Sequence, residues 1–350
     1  MIRICTTLCK HGHSVHLVGR KQKHSKPLMN QPYCQKRLFC FFEKGKLFYV
    51  EYNLRLFIYL LFQNFDVVCG IDLDTSLPTI AVAKLKGKKH YYDAHEWFPF
   101  VPEVITRPKV QKFWLWVERI TFNHTNKAYT VSRSIAEEFE KKYQKKVALI
   151  RNMPILNFKT QNLTEDILKV LPHDRFVLYQ GALNKGRGIE LLIESIQGTN
   201  IHVVIAGDGD LSQDLKNLTQ QLGVDKQVTF LGFVNPLQLR DLTKRAFLGY
   251  NVSENLGLSY YYSLNNKFFD YVESELPSLI NSFPEYTQLL SEYQVGVLCD
   301  YTVTSIKENL DIIYNHPEFY GLLKAQCVVA KKAWNWEIES KKLIELYLHD

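Results

Sequence analysis

The nonapeptide at 180–188, QGALNKGRG, follows an apolar strand-like run and precedes a helix-like one. Its glycines, Gly181, Gly186 and Gly188, let a ligand come close to the backbone. Lys185 and Arg187 beside a helix N-terminus offer amide donors and positive charge to a diphosphate. The pattern is neither a dinucleotide fingerprint nor a Walker A loop, and a plain tight turn has the same composition. A second segment, AGDGD at 206–210, sets Gly207 and Gly209 at the end of another apolar run, where they form either a ligand wall or a turn capped by aspartate. A third, 253–279, carries Glu254 in a glycine-containing loop and then a helix. That helix places Asn266 and Asp270 four apart on one face, with Lys267 adjacent. A carboxylate at such a helix start can hold the two hydroxyls of a ribose; simple solvation is the plain alternative for both acids.

The first half offers acids at strand ends, with Asp72 and Asp74 after one strand and Asp93, His95 and Glu96 after another. His95 can donate to a substrate oxygen or take a proton near neutral pH, though a loop histidine is more often structural. No metal site is expected: His11 and His13 stand two apart beside a helix cap, without a third ligand in register.

The elements that would position these residues alternate along the chain. A helix at 4–10 closes at Gly12, a strand at 14–18 ends in Gly19-Arg20, and a helix spans 47–63. Strands at 66–70, 90–93, 128–131 and 147–150 alternate with helices from 78, over 109–123, and from Ser132 or Ser134 to 143. The pattern weakens at 152–174, around Pro154 and Pro172. A second series then begins, with strands at 176–180, 201–206, 228–230, 248–252, 278–281 and 296–298, and a terminal helix at 333–348. Apolar strands alternating with helices predict doubly wound parallel α/β domains, with ligands at the C-terminal ends of the strands.

Composition bounds the partners. The 350 residues are 46% hydrophobic, enough to fill two cores, and no repeat period is present. The net charge of +7 is concentrated in residues 1–50, which hold ten Lys or Arg against one acid, Glu43. Such a basic face attracts nucleic acid, an anionic membrane or an anionic substrate, or is merely solvated. No zinc-finger spacing, RNA-binding aromatic signature or strongly basic helix supports nucleic acid. Seven scattered cysteines without a CxxC fit reduced thiols in a cytoplasmic protein. The most apolar run, 54–65, includes Arg55 and is too short to span a bilayer.

In order along the chain, CKHGHSVHLVGR, YDAHEWFP, YTVSRSIAEEF, RNMP, GALNKGRGIELLIE, VVIAGDGD, VTFLGFV, SENLGL, KFFDYVESELPSLINSFPEY and a terminal WNWE resemble the retaining family-4 glycosyltransferases with the GT-B fold. The resemblance implies two Rossmann-like doubly wound α/β domains facing each other across a cleft. These are an acceptor-side domain at 1–152, a linker at 153–174, a nucleotide-sugar domain at 175–332, and a helix at 333–350 crossing back to the first domain. It implies sugar transfer from a UDP-, GDP- or ADP-sugar to a carbohydrate or lipid-linked acceptor hydroxyl, with retention and without a metal or other cofactor. The setting would be cell-surface polysaccharide or glycolipid synthesis at the inner face of the membrane, with residues 1–50 against anionic lipid. It leaves the base, the sugar, the acceptor and the oligomeric state open.

Carried over by residue, Gly181, Arg187 and Gly188 match the family's diphosphate loop, with Arg187 in place of its lysine. Ala182 replaces an expected arginine, for which Lys185 is the substitute. Glu254 matches the first of the paired glutamates, and Tyr262 stands where the second is expected. Asp270, flanked by Asn266 and Lys267, resembles the ribose-binding carboxylate, while His95 resembles the histidine near the transferred sugar. Gly207 and Gly209 line the donor side. The family's opening strand and glycine loop have no counterpart before the first helix, which implies an exposed strand edge. Together with Ala182 and Tyr262, this leaves a degenerate, non-catalytic sugar-nucleotide-binding or scaffold protein as the alternative. A hydrolysing epimerase of the same fold is a lesser one.

Overall fold

The computed structural model describes residues 1–23, 25–156 and 159–348; two positions of the expected linker, 157 and 158, and the chain's last two positions lie outside the described residues. The chain divides into two compact units. The first comprises Met1–Arg151, Gly257–Ser259 and Glu339–Asp350, and the second Asn152–Leu256 and Tyr260–Ile338. Both are α/β and Rossmann-like.

The first series runs α1 (Ile2–Lys10), β1 (His16–Lys21), β2 (Cys34–Phe39), α2 (Gly45–Leu61), β3 (Val67–Ile71), α3 (Ser76–Lys86) and β4 (Lys89–Ala94). It continues with α4 (Pro102–Ile105), α5 (Pro108–His124), β5 (Lys127–Thr130), α6 (Arg133–Tyr143) and β6 (Val147–Leu149). Strands β3, β4, β5 and β6 form a four-stranded parallel sheet in that order, while β1 and β2 pair separately. Ser132 caps α6 by accepting from the Ile135 N–H. Between β4 and α5, Trp97 donates to Glu118 at 3.1 Å, and Lys142 and Tyr143 satisfy the other carboxylate oxygen at 2.6 and 2.5 Å. A fully buried carboxylate with three donors thus anchors the loop after β4.

The second series runs α7 (Glu165–Val170), β7 (Phe176–Gln180), α8 (Ile189–Ser195), β8 (His202–Ala206), α9 (Ser212–Gln221), β9 (Val228–Gly232), α10 (Pro236–Arg245) and β10 (Leu248–Asn251). After these come α11 (Leu258–Tyr261), α12 (Asn266–Glu273), β11 (Ser278–Asn281), α13 (Pro284–Glu292), β12 (Gly296–Cys299), α14 (Val303–Asn315), α15 (Pro317–Ala333) and α16 (Trp336–Leu348). Its sheet is continuous, in the order β12-β11-β10-β7-β8-β9. Every residue of β7, β10 and β11 is buried, as parallel strands covered on both faces require. The two faces carry separate apolar clusters, one around Val177, Ile193 and Ile205, the other around Leu178, Val204 and Tyr271.

Several sequence expectations are corrected. β1 continues through Gly19 and Arg20 to Lys21, because one edge pairs with β2, whose mixed CQKRLF pattern does not read as a strand. The weak region at 152–174 contains α7, and the stretch between the last strand and the terminal helix, for which no element was expected, forms α14 and α15. All seven cysteines are free, with Cys34 exposed. Among the described residues no helix is long and apolar enough to cross a membrane.

Candidate functional site

In the second unit β7 and β10 lie side by side, yet the chain leaves β7 toward β8 and leaves β10 toward β11. Loops after such strands diverge and open a crevice at the switch point, where open α/β sheets bind ligands. Those loops are 181–188 and 252–257, which carry two of the three segments singled out by residue type.

The loop after β7 is held by aromatic hydroxyls beneath it. Tyr179 donates to the Ala182 carbonyl at 2.7 Å, Tyr250 donates to the Gly188 carbonyl at 2.7 Å, and the Glu254 N–H donates to the Gly186 carbonyl at 2.9 Å. Gly188 has φ of +65°, and a Cβ there would stand 2.8 Å from the Val252 carbonyl oxygen. The 206–210 turn packs directly on this loop: the Leu183 N–H donates to the Asp208 carbonyl at 3.1 Å. A Cβ on Gly207 would lie 1.8 Å from the Gly181 carbonyl oxygen, and one on Gly209 would lie 2.6 Å from that of Leu183. These two glycines therefore permit loop-on-loop packing. Asp208 accepts from the Ser212 hydroxyl and the Gly209 N–H, which hold its carboxyl below the usual range, the behaviour of a turn cap.

Two cations stand on aromatic faces here. The Arg187 guanidinium is 5.3 Å from the Tyr260 ring centroid, and the Lys267 ammonium is 3.9 Å from that of Tyr179. Desolvation, and then the charge of Arg187, hold the Lys267 ammonium well below the usual lysine range. Nearby like charge and poor hydration make this a place where an anion is stabilising. Glu254 and Asp270 are half-buried, Asn266 is exposed on the first turn of α12, and Lys185 is exposed on the loop. The sequence reading did not include Tyr179 and Tyr260. Tyr179 gives a signal, being an amphipathic residue one position from the end of an otherwise apolar strand; Tyr260 gives none, because it lies 73 positions from Arg187.

In the first unit the ends of β3 and β4 gather acids around one histidine. His95 Nε2 is 3.2 Å from Asp93 Oδ2, and the His95 N–H donates to Asp72 Oδ1 at 2.8 Å. Burial disfavours the imidazolium, but the Asp93 hydrogen bond and the charges of Asp93 and Asp72 outweigh it and raise the His95 pKa. Burial pushes the Asp72 carboxyl up to about 7, against the lowering charge of His95. The Asp74 carboxyl rises to about 6 by burial, and that of Glu96 is raised by burial and by Glu103. Asp72 also has φ of +53°, uncommon outside glycine, and accepts at its carbonyl from the Ser76 hydroxyl. The cluster is a dense set of hydrogen-bonding groups whose charge changes near neutral pH.

Among the described residues no group of three His, Cys, Asp or Glu could hold a metal ion. His11 Nδ1 is occupied by the Thr7 carbonyl at 2.9 Å.

Residues 1–153 match the family model for Glycosyltransferase Family 4, and residues 164–265 match that for Glycosyl transferases group 1. An uncharacterized glycosyltransferase of Methanocaldococcus jannaschii is 42% identical over 77 residues, 21% of this chain and 20% of that protein. The N-acetylgalactosamine-N,N'-diacetylbacillosaminyl-diphospho-undecaprenol 4-alpha-N-acetylgalactosaminyltransferase of Campylobacter jejuni is 36% identical over 94 residues, 26% of this chain and 25% of that protein. The matched stretches thus span a fifth and a quarter of these relatives. In structure, the chain is similar to sucrose-phosphate synthase from Thermosynechococcus elongatus, with a TM-score of 0.79 and 15% identity, covering 99% of this chain and 91% of that one. The structural likeness shows a GT-B-like fold, built of two Rossmann-like domains.

Proposed function

We propose that this chain, whose fold is GT-B-like, is a glycosyltransferase that transfers a sugar from a nucleoside-diphosphate donor to an acceptor hydroxyl. The observation that carries the reading is the crevice between the loops after β7 and β10, where Arg187 and Lys267 stand on the tyrosines of a rigid, glycine-dependent loop. Two cations on preorganised supports stabilise a departing diphosphate more in the transition state than in the ground state, because charge develops on the leaving oxygen. Lys267 takes the part of the second phosphate cation that Ala182 does not supply, in place of the exposed Lys185.

Asp270, with Asn266, is assigned to the nucleotide ribose, Glu254 and His95 to orientation of the sugar, and Gly181 and Gly188 to close backbone approach. Gly207 and Gly209 keep only the supporting role that their packing gives them. Retention of anomeric configuration is part of this reading, with the leaving phosphate helping to deprotonate the acceptor on the same face. A lipid-linked acceptor is favoured by the basic residues 1–50 and by the diphospho-undecaprenol substrate in the name of the Campylobacter jejuni relative.

Calorimetry against UDP, GDP, ADP and their sugars, followed by product analysis by NMR, tests these assignments. Binding of one nucleotide sugar, abolished in Arg187→Ala, and a product of unchanged anomeric configuration are expected. No binding by a folded chain defeats the reading. Binding without turnover, with any acceptor offered, points instead to the non-catalytic alternative, which Ala182 and Tyr262 favour.

A further inference from the structure

Lys267 is badly placed to be a cation. It lies in the first turn of α12, where the positive end of the helix dipole disfavours an ammonium, and that turn holds no acid. Its Nζ is 3.9 Å from the centroid of the Tyr179 ring, and Arg187 is the neighbouring charge. The groups around it are Tyr179 from β7, Arg187 from the loop after β7, Tyr260 of α11 beneath Arg187, and Asp270 one turn on along α12 itself. No carboxylate pairs with Lys267 among the described residues.

Poor hydration, the helix end and the like charge of Arg187 all favour the neutral amine, and the face of the Tyr179 ring offsets only part of that. A neutral amine is a nucleophile, whereas exposed lysines stay protonated near neutral pH. Lys267 is half-buried and not enclosed, so a small molecule in the crevice reaches its Nζ. The same surroundings favour an anion, because Arg187 stands on Tyr260 and α12 presents its N-terminus. A small molecule that joins an anion to an electrophilic carbon answers both features, and acyl phosphates are that class. A neutral electrophile meets only the amine, and an inorganic anion meets only the charge.

We propose that Lys267 is an acylation site, which takes the acyl group of an acyl phosphate held by Arg187 and the first turn of α12, and so removes one of the crevice's two cations. The Nζ lone pair attacks the acyl carbon, a C–N amide bond forms, and the C–O bond to phosphate breaks. Inorganic phosphate departs with that electron pair, and the proton released from nitrogen goes to it. The resulting amide carries no charge at any ordinary pH, so diphosphate binding weakens until the acyl group is removed. This regulation rests on the proposed diphosphate crevice, since it uses the same Arg187.

The whole chain is incubated with acetyl phosphate near neutral pH, and the rate of labelling at each lysine is followed by peptide mass spectrometry. Lys267 should be acetylated at least about tenfold faster than the exposed Lys226 and Lys244. Inorganic phosphate should slow labelling of Lys267 and leave those two unaffected. Arg187→Ala, checked for native circular dichroism, should do the same. Calorimetry with inorganic pyrophosphate should show binding about tenfold weaker in the acetylated chain and in Lys267→Gln. Lys267→Arg should keep that binding and take up no acyl group at this position. The proposal is overturned by labelling of Lys267 no faster than of Lys226 and Lys244, by labelling indifferent to phosphate, by transfer to the exposed Lys185 in its place, or by pyrophosphate affinity unchanged on acetylation. Preferential labelling with phosphate competition in a chain that binds no nucleotide sugar leaves this site standing and defeats the sugar-transfer reading. Nucleotide-sugar binding with no label on Lys267 defeats the acylation site alone.

Discussion

The two units follow the same α/β grammar and end in opposite electrostatic states. In the second, one continuous six-stranded sheet brings two loops together at its switch point, and the groups raised there are cations on aromatic rings. In the first, β1 and β2 form a sheet apart from that of β3 to β6, and the ends of β3 and β4 carry Asp72, Asp74, Asp93 and Glu96 around His95. Strand C-terminal ends are a common platform, but what they do depends on which charges the loops leave poorly solvated. Cations in that condition await an anion. Acids with raised pKa values instead offer hydrogen bonds that change with pH.

The comparison breaks most readily at Arg187. Arg187→Ala should lower kcat/KM by about 10²- to 10³-fold, roughly 3–4 kcal/mol, with an unchanged melting temperature. Steady-state kinetics on the sugar nucleotide that binds will decide this, and a loss under threefold would mean that the cations of the second unit are only solvated. Next comes the rigidity of the loop that carries it. Gly207→Ala puts a Cβ at 1.8 Å from a backbone oxygen, so a stability loss of about 3 kcal/mol is expected in denaturant unfolding. Retention of full stability would show that the 206–210 turn can move away from 181–184, and that the site is softer than its packing implies.

Lys267→Met should weaken nucleoside-diphosphate binding about tenfold, near 1.4 kcal/mol. It should also remove a proton linkage: an arriving anion raises the lowered Lys267 pKa back toward the usual lysine range. Binding to the parent chain should therefore take up protons and strengthen as pH falls through that lowered range. Calorimetry in buffers of different ionisation enthalpy measures the uptake directly.

The effect expected in the first unit is on stability and its pH dependence. Asp72, at about 7, and Asp74, at about 6, bind protons more tightly when folded than unfolded, and His95 is also raised. For all three the folded state holds the extra proton, so stability is greatest on the acidic side and, for the two carboxyls, is lost as pH rises from the ordinary carboxylate range through about 6 and about 7. Asp72→Asn should flatten that slope, by on the order of 1–2 kcal/mol across the window, as read from melting temperature against pH. A slope that is unaffected would move the titration to other groups.

Much of this arrangement was legible from residue types. The apolar runs at 176–180 and 248–252, each followed by a glycine-containing loop, announced buried parallel strands with loops at their ends, since only such strands are apolar on both faces. Arg187 and Gly188 stood out because charge and φ freedom coincide there. Gly207 stands at a strand end whose composition allows both a ligand wall and a turn, and the backbone of Gly181 approaches it. β2 was missed because a strand with one buried edge in a two-stranded sheet needs no apolar periodicity, and α14 and α15 because ordinary amphipathic helices carry no chemistry to draw notice.

The sequence by itself determined the local elements, the glycines that allow tight loops, and the concentration of basic residues in 1–50, because these depend on side-chain size, backbone freedom and charge within a few residues. It took the tertiary fold to set β10 against β7, Tyr260 under Arg187 and Lys267 over Tyr179, and to line one cavity with residues of β1 and β3. Each of these is set by neighbours distant in sequence. Desolvation, ring contact and strand pairing act through space, and no spacing along the chain encodes them.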